Sequence, residues 1–296
     1  MVNSTICSSV LIETQQQIVL SALNIPLSVT AFLANLLIIV ALQKPSSLHS
    51  PSKLLLGCLA STDLCVGLII QPLFVTFLMS SENSKRCYYV QLVLITTSAI
   101  FCGVSVFTLT AISVDRLLAV MLGLRYRQGV TLRRVWVLVV SLWVYHVSIS
   151  AISFFNDFIF VTCICIEGIL CIIISTCCYF KIYLTLRHHQ AQVQDQVHEG
   201  QLNGVGTGIN TARYKKTVSS ALWVQTVFLL SYVPFGFAVA IFVITGLLSP
   251  ALYLALDVTF SLVLFNASLN PFLYCWKMKE VRQAVKDTIR RFRCSS

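Results

Sequence analysis

A bundle of seven membrane-crossing α-helices, with the N-terminus outside the cell, is the fold class this sequence predicts. Three observations predict it. First, 57% of the 296 residues are hydrophobic and only 11% are charged, with a mean hydropathy of +0.83. A soluble domain carries about 25% charged residues. Second, the apolar residues collect into seven runs, each matching the roughly 20 residues that a bilayer crossing needs. Third, when the runs are threaded alternately, all but Lys85 and Arg86 of the 21 Lys and Arg residues fall on one side. The basic side of a membrane protein is the cytoplasmic one. The formal charge of +10 therefore marks a membrane face. The basic residues carry no interleaved aromatics that would stack bases, so no nucleic-acid partner is expected.

The runs follow one another along the chain. The first, 18–42, contains no charge, and the second, 54–79, has only Asp63. The third, 88–120, is charged only at Asp115 and Arg116 near its end. The fourth covers 135–155; the fifth, 158–186, contains Glu167; the sixth and seventh cover 218–248 and 251–276. The polar N-terminus, 1–17, lies outside and does not read as a cleavable signal peptide, so the first span is expected to serve as its own insertion signal. The longest connection, about 188–213, is rich in Gln, Gly and Asn and reads as a third cytoplasmic loop. In the cytoplasmic end, 277–296, Val281, Ala284, Val285, Ile289 and Phe292 recur at helical spacing opposite Lys and Arg. That pattern describes a short amphipathic helix on the membrane surface.

Most of the 12 cysteines sit in apolar runs, where cysteine behaves as a small hydrophobe. Cys7 and Cys87 fall outside the cell. No His or Cys pattern has zinc spacing. Asn3-Ser4-Thr5 is a glycosylation sequon on the outer side. Cys294, beside Arg293 at the end of the surface helix, is a candidate palmitoylation site, a second anchor to the bilayer.

Ionisable and amide side chains inside a span are costly and mark functional positions. Asp63 is the first, with Asn35, Ser105, Asn266 and Asn270 available on other spans. Together they form a hydrogen-bonded network around one carboxylate, or an oxygen set for a small hard cation such as Na+ held by Asp63 and Ser105. No paired Asp-Asp, Ser-His or His-x-x-x-His constellation lies within the spans, so an intramembrane enzyme is not expected. A transporter would show internal repeats, matched broken helices or a ring of like charges. None is visible.

The motifs, in order, are Ala34-Asn35 in span one and Leu59-Ala60-Ser61-Thr62-Asp63 in span two. Span three ends in Asp115-Arg116-Leu117, and the loop after it reads Leu124-Arg125-Tyr126-Arg127. Trp143 lies in span four, Tyr179 in span five and Pro234 in span six. Span seven holds Asn270-Pro271-Phe272-Leu273-Tyr274. In these residues the chain resembles the rhodopsin-like (class A) G-protein-coupled receptors, from the first span through the surface helix. The resemblance implies a plasma-membrane receptor that passes binding of an extracellular ligand to a heterotrimeric G protein, with no cofactor except Na+ as an allosteric ion. Arg116 would be held by Asp115 at rest and swing toward the G protein when span six moves about Pro234. Tyr179 and Tyr274 would then support the open form, and Asn270-Pro271 would belong to the same switch. The alternatives are a receptor-fold partner or decoy without signalling, and a small-solute transporter.

Several positions depart from the family pattern. Tyr232 stands where the family has its switch tryptophan. Tyr214 occupies the place of a span-six acid that pairs with the arginine, which predicts a weak resting lock and appreciable basal signalling. The bridging cysteine of span three is replaced by Gln91, with Cys87 one turn earlier and Cys7, Cys163 or no cysteine as its partner. The second outer loop is very short, and Cys171 lies near the place of the usual span-five proline. In these absences the chain is similar to the melanocortin, cannabinoid and adenosine-type branch, although Leu73, Gln91 and Ile95 replace the melanocortin acidic residues. Ser98 stands where an amine receptor has its carboxylate, and Leu264 where an opsin has its lysine. Candidate ligand contacts are Ser98, Tyr232, Glu167, which faces the pocket, pairs with His146 or stays protonated, and Asp257, read as a ligand contact or a solvated rim charge. The short outer loops suit a small ligand, with a peptide as the other class. The tail ends at Ser295 and Ser296, so arrestin is expected to engage weakly unless Thr207, Thr211 or Thr217 contribute.

Overall fold

A computed structural model describes residues 14–43, 49–80, 85–198, 226–246, 249–277 and 279–295. Seven helices in it are long and apolar enough to cross a membrane. They are α1 (Thr14–Leu42), α2 (Ser50–Leu78), α3 (Lys85–Leu122), α4 (Leu132–Ile152), α5 (Asp157–His198), α6 (Thr226–Thr245) and α7 (Pro250–Lys277), followed by α8 (Lys279–Ser295). Helices suit the bilayer because each satisfies its own backbone hydrogen bonds, which lipid cannot do. Lipid-facing side chains such as Leu33, Val144 and Phe180 are exposed, whereas Asn35, Asp63, Gln71 and Asn270 are buried. These amides and this carboxylate are on the inside, while hydroxyls such as Ser141 and Ser148 stay exposed by bonding their own helix backbone.

Prolines and glycines shape the helices locally. Pro51 opens α2, where its missing N–H costs nothing. Further along α2, one π-helical turn, Val66–Ile70, precedes Pro72. A wider turn accommodates the clash between a proline ring and the carbonyl four residues back. Gly123 and Gly246 take positive φ, 51° and 62°, just after α3 and α6, a conformation that glycine adopts freely. Between α3 and α4 the chain forms a 3-10 turn, Gly123–Arg125, and a single helical turn, Tyr126–Gly129.

α3 is central, packing on α2, α4 and α5. The contact with α4 is close at one point: a methyl group on Gly103 would overlap the His146 ring. That ring is 1% exposed and is walled by Phe107 and Tyr145. Gly103→Ala should therefore destabilise the receptor domain by about 1–3 kcal/mol through overpacking. His146→Ala in the same chain should restore much of that loss, as a thermal-unfolding double-mutant cycle would show. Strict additivity of the two changes would contradict this reading.

α8 docks rather than merely lying alongside. Val281 and Val285 are buried in the main core cluster with Ile38, Leu55 and Tyr274, and α8 packs on α1 and α7. Ile289, read as part of the same apolar stripe, is exposed. The stripe is thus divided between protein and lipid. The described start of the expected loop, 188–198, also differs from expectation, and residues 199–213 lie outside the described ones. α5 continues as helix to His198, because Gln, Val and His there are compatible with a helix once a preceding one has nucleated. The connection between α4 and α5 is as short as expected, residues 153–156.

Candidate functional site

Polar side chains run through the bundle from the cytoplasmic end of α3 to the outer third of α7. At the cytoplasmic end, Asp115 is buried and Arg116 is 36% exposed, with Arg116 Nη2 3.2 Å from Asp115 Oδ2. Two further groups hold the carboxylate. Ser52 Oγ, from the first turn of α2, donates to Oδ2 at 2.9 Å, and the Tyr126 hydroxyl donates to Oδ1. Ser52 and Tyr126 also lie 3.2 Å apart, and the His49 ring packs on Tyr126. Burial, reinforced by the hydrogen bond to Asp115, pushes the Tyr126 phenol up to about 12, so it remains a donor at neutral pH. Charge-assisted bonds of this kind are about twice as strong as neutral ones.

Asp63 lies at the centre of the bundle and is 1% exposed. Ser105 Oγ donates to its Oδ1 at 3.0 Å and Asn270 Nδ2 to its Oδ2 at 2.7 Å. Of the residues expected around it, Asn35 and Asn266 face elsewhere. Asn35 Nδ2 donates to the carbonyls of Ala31 and Ala267, tying α1 to α7. Asn266 lies beside the Tyr232 hydroxyl. Tyr179 lies beside Ser113, whose hydroxyl donates to the Leu109 carbonyl at 2.9 Å, and the Tyr274 hydroxyl is buried with no hydrogen-bond partner among the described residues.

The outer half departs most from expectation. Glu167 turns to α4: the Tyr145 hydroxyl donates to its Oε1, and His146 Nε2 stands 3.8 Å from Oε2. His146 Nδ1 faces the Leu142 carbonyl at 2.8 Å, and a carbonyl only accepts, so Nδ1 carries a proton. Glu167 is thus turned to α4, where Tyr145 supplies its hydrogen bond and the His146 ring stands beside it, because α5 is rotated to bring that residue against α4. Asp257 is no rim charge, being 7% exposed, because α7 turns it into the bundle. Ser98 Oγ is buried without a partner among the described residues. Phe237 and Phe154 are exposed to lipid.

Cys87 is disulfide-bonded and Cys163 is a free thiol. Cys7, the other candidate partner, lies outside the described residues. Asn3, Thr207, Thr211, Tyr214, Thr217 and Ser296 also lie outside them, as do the side chains of Phe292, Cys294 and Ser295. Among the described residues no group of three or more His, Cys, Asp or Glu side chains is arranged to hold a metal ion.

The arrangement, seven helices with an Asp-Arg pair at the cytoplasmic mouth and a carboxylate in the core, has a match. The family described as the 7 transmembrane receptor (rhodopsin family) aligns to residues 34–157 and 153–274. The chain belongs to the rhodopsin family of seven-transmembrane receptors. It is accordingly a multi-pass membrane protein of a receptor family, not an enzyme. In the sequence Tyr126 stands out only as part of a loop motif, and Ser52, Asn24 and Gln71 belong to none. The signal for the last two was present, since both are amides inside apolar runs, the criterion that selected Asp63. Ser52 and Tyr126 gave no such signal because polar residues are ordinary at a membrane border.

Proposed function

We propose that this receptor passes binding of an extracellular ligand to a heterotrimeric G protein, and that the Asp115–Arg116 pair is its switch. The observation that carries the reading is the partly exposed arginine at the cytoplasmic mouth, tied to a carboxylate that three groups hold. In the resting packing Arg116 is paired with Asp115. Outward movement of α6 about Pro234 would open a cleft beside Arg116, and the hydroxyls of Tyr179 and Tyr274 would support the arginine in its turned position. The ligand's part is a population shift between two packings, limited by its differential affinity for them. On the outer side, the Tyr232 hydroxyl faces Asn266, which sets the ligand-facing part of α6 against α7 one turn from Asn270.

The oxygen donors around Asp63 fit a small hard cation. Asp63 and Ser105, with the Asn270 carbonyl oxygen, would hold Na+, whose charge would offset the buried carboxylate and favour the resting packing. The short α4–α5 connection and free Cys163 support placement near the melanocortin, cannabinoid and adenosine-type branch. Plasma-membrane residence completes the reading.

The test is ligand-free G-protein activation in cells across the main Gα classes, with the native chain and Arg116→Ala matched for surface expression. A basal signal that falls to the mock-transfected level in the variant is expected. A basal signal of equal size in both would overturn the assignment of Arg116. A native chain no more active than mock would overturn the weak resting lock.

A further inference from the structure

In the outer half of the bundle, α1, α2 and α7 meet around the Leu20, Phe74 and Leu264 side chains. Two hydrogen bonds set their register. Ser28 Oγ donates to the Gly67 carbonyl at 2.7 Å, and Asn24 Nδ2 donates to Ser261 Oγ at 3.1 Å. Four residues outward from Ser28 is Asn24, a rise of about 6 Å, and four outward from Gly67 is Gln71, a somewhat shorter rise because the chain passes through the π-helical turn Val66–Ile70. Asn24, Gln71 and Ser261 therefore share one level. Ser21 and Asp257 lie about one turn further out, on α1 and α7.

All four of Asn24, Gln71, Ser21 and Asp257 are more than nine-tenths buried. Asn24 spends its amide hydrogens on Leu20 O and Ser261 Oγ, which leaves its carbonyl oxygen. That oxygen, both amide atoms of Gln71, Ser21 Oγ and Asp257 Oδ2 have no hydrogen-bond partner among the described residues. The set is rich in acceptors and includes one carboxylate, in surroundings where an uncompensated charge is costly. The described lengths of α1 and α7 carry no Lys, Arg or His beside it. The described basic residues nearest the outer surface, Lys85 and Arg86, are exposed on α3. A carboxylate here either keeps its proton or draws a cation, and a cation can reach it only from the outer side.

We propose that Asp257 Oδ2, with Asn24 Oδ1, Gln71 Oε1 and Ser21 Oγ, forms a site for a small monovalent cation entering from the extracellular side. The cation is sodium itself or the primary ammonium group of a ligand. This site is separate from Asp63, since Asp257 lies about 20 Å outward of Asn270 along α7. It also does not depend on G-protein coupling, so binding is read on purified protein and a failed signalling assay leaves it intact.

The experiment is thermal unfolding of the purified full chain at one fixed ionic strength, which holds general screening constant. The salts are sodium chloride, methylammonium chloride and N-methyl-D-glucamine chloride, and an Asp63→Asn background removes the deeper carboxylate. Sodium or methylammonium is expected to raise Tm by about 2–4 °C over the bulky cation. Adding Asp257→Asn should abolish the rise, and adding Gln71→Met, a change of similar shape, should reduce it. A larger rise with methylammonium assigns a ligand's ammonium group; a larger rise with sodium assigns the ion. If the rise survives Asp257→Asn, or if a cooperatively unfolding Asp63→Asn chain shows none, the polar atoms are served by water alone and the proposal is overturned.

Discussion

Gly67→Ala is expected to cost the receptor about 2–4 kcal/mol and most of its surface expression. A methyl group at this position would stand 2.7 Å from the Phe32 backbone nitrogen, 2.9 Å from Ala31 Cβ and 2.9 Å from the Ser28 carbonyl oxygen. Two of these atoms are backbone, so no side-chain rotation relieves the overlap. α1 would have to retreat by about 1 Å to restore ordinary contact distances. The retreat would strain the Ser28–Gly67 hydrogen bond and the Asn24 and Asn35 bonds that tie α1 to α7. In lipid, where little hydrophobic force holds helices together, close approach through small residues and interhelical hydrogen bonds is what keeps α1 in place. Gly57→Ala on the same helix is the control, since nothing lies within 4 Å of a methyl there. Thermal unfolding and surface labelling of both variants would check the prediction. A native-like Tm for Gly67→Ala would mean the α1–α2 contact is looser than described.

The second large effect concerns Asp115. Ser52→Ala with Tyr126→Phe removes two of the three groups on its carboxylate and leaves only Arg116. Hydrogen bonds to a charged group are worth about 1.5–3 kcal/mol each in favourable settings. Partial solvent access at this mouth reduces that, and each single change should raise ligand-free G-protein activation about two- to fivefold, with the double variant higher. The direction follows because Asp115, freed to reorient, no longer presents a fixed partner to Arg116. The tyrosine should contribute equally across about pH 6 to 8. Its phenol is pushed up from an unperturbed 10.0 to about 12, and a raised acid holds its proton, and the stability that comes with it, below the unfolded value. That contribution is lost only as pH rises toward 12. A double variant with unchanged basal output would show that Asp115 orientation does not govern the resting state.

Legibility in the sequence divided along a physical boundary. The seven spans were readable because transfer into lipid depends on a segment's composition, and the runs 18–42 and 251–276 match α1 and α7 closely. Asp63, Asp115, Arg116 and Asn270 stood out because charge and amide groups in such runs have an obvious cost. Rotation about each helix axis was not readable. Glu167 was equally consistent with the pocket and with His146 until α5 packed beside α4. Asp257, near the outer end of its run, looked solvated although it faces inward. The approach of α1 to Gly67 and of α4 to Gly103 left no mark, because a glycine in a helix does not announce its neighbour.

The sequence by itself determined that this chain crosses a membrane seven times, which end faces the cytoplasm, and which family motifs sit at which depth. Those properties are sums over one segment at a time, of hydropathy, charge and local spacing. The tertiary structure alone decided that Ser52 and Tyr126 hold Asp115, that Tyr145 takes Glu167, and that Asn24, Gln71 and Asp257 are buried in one region between three helices. Those are contacts between distant segments. They depend on the rotation and register of each helix, which are set by packing against neighbours and not by the composition of the helix itself.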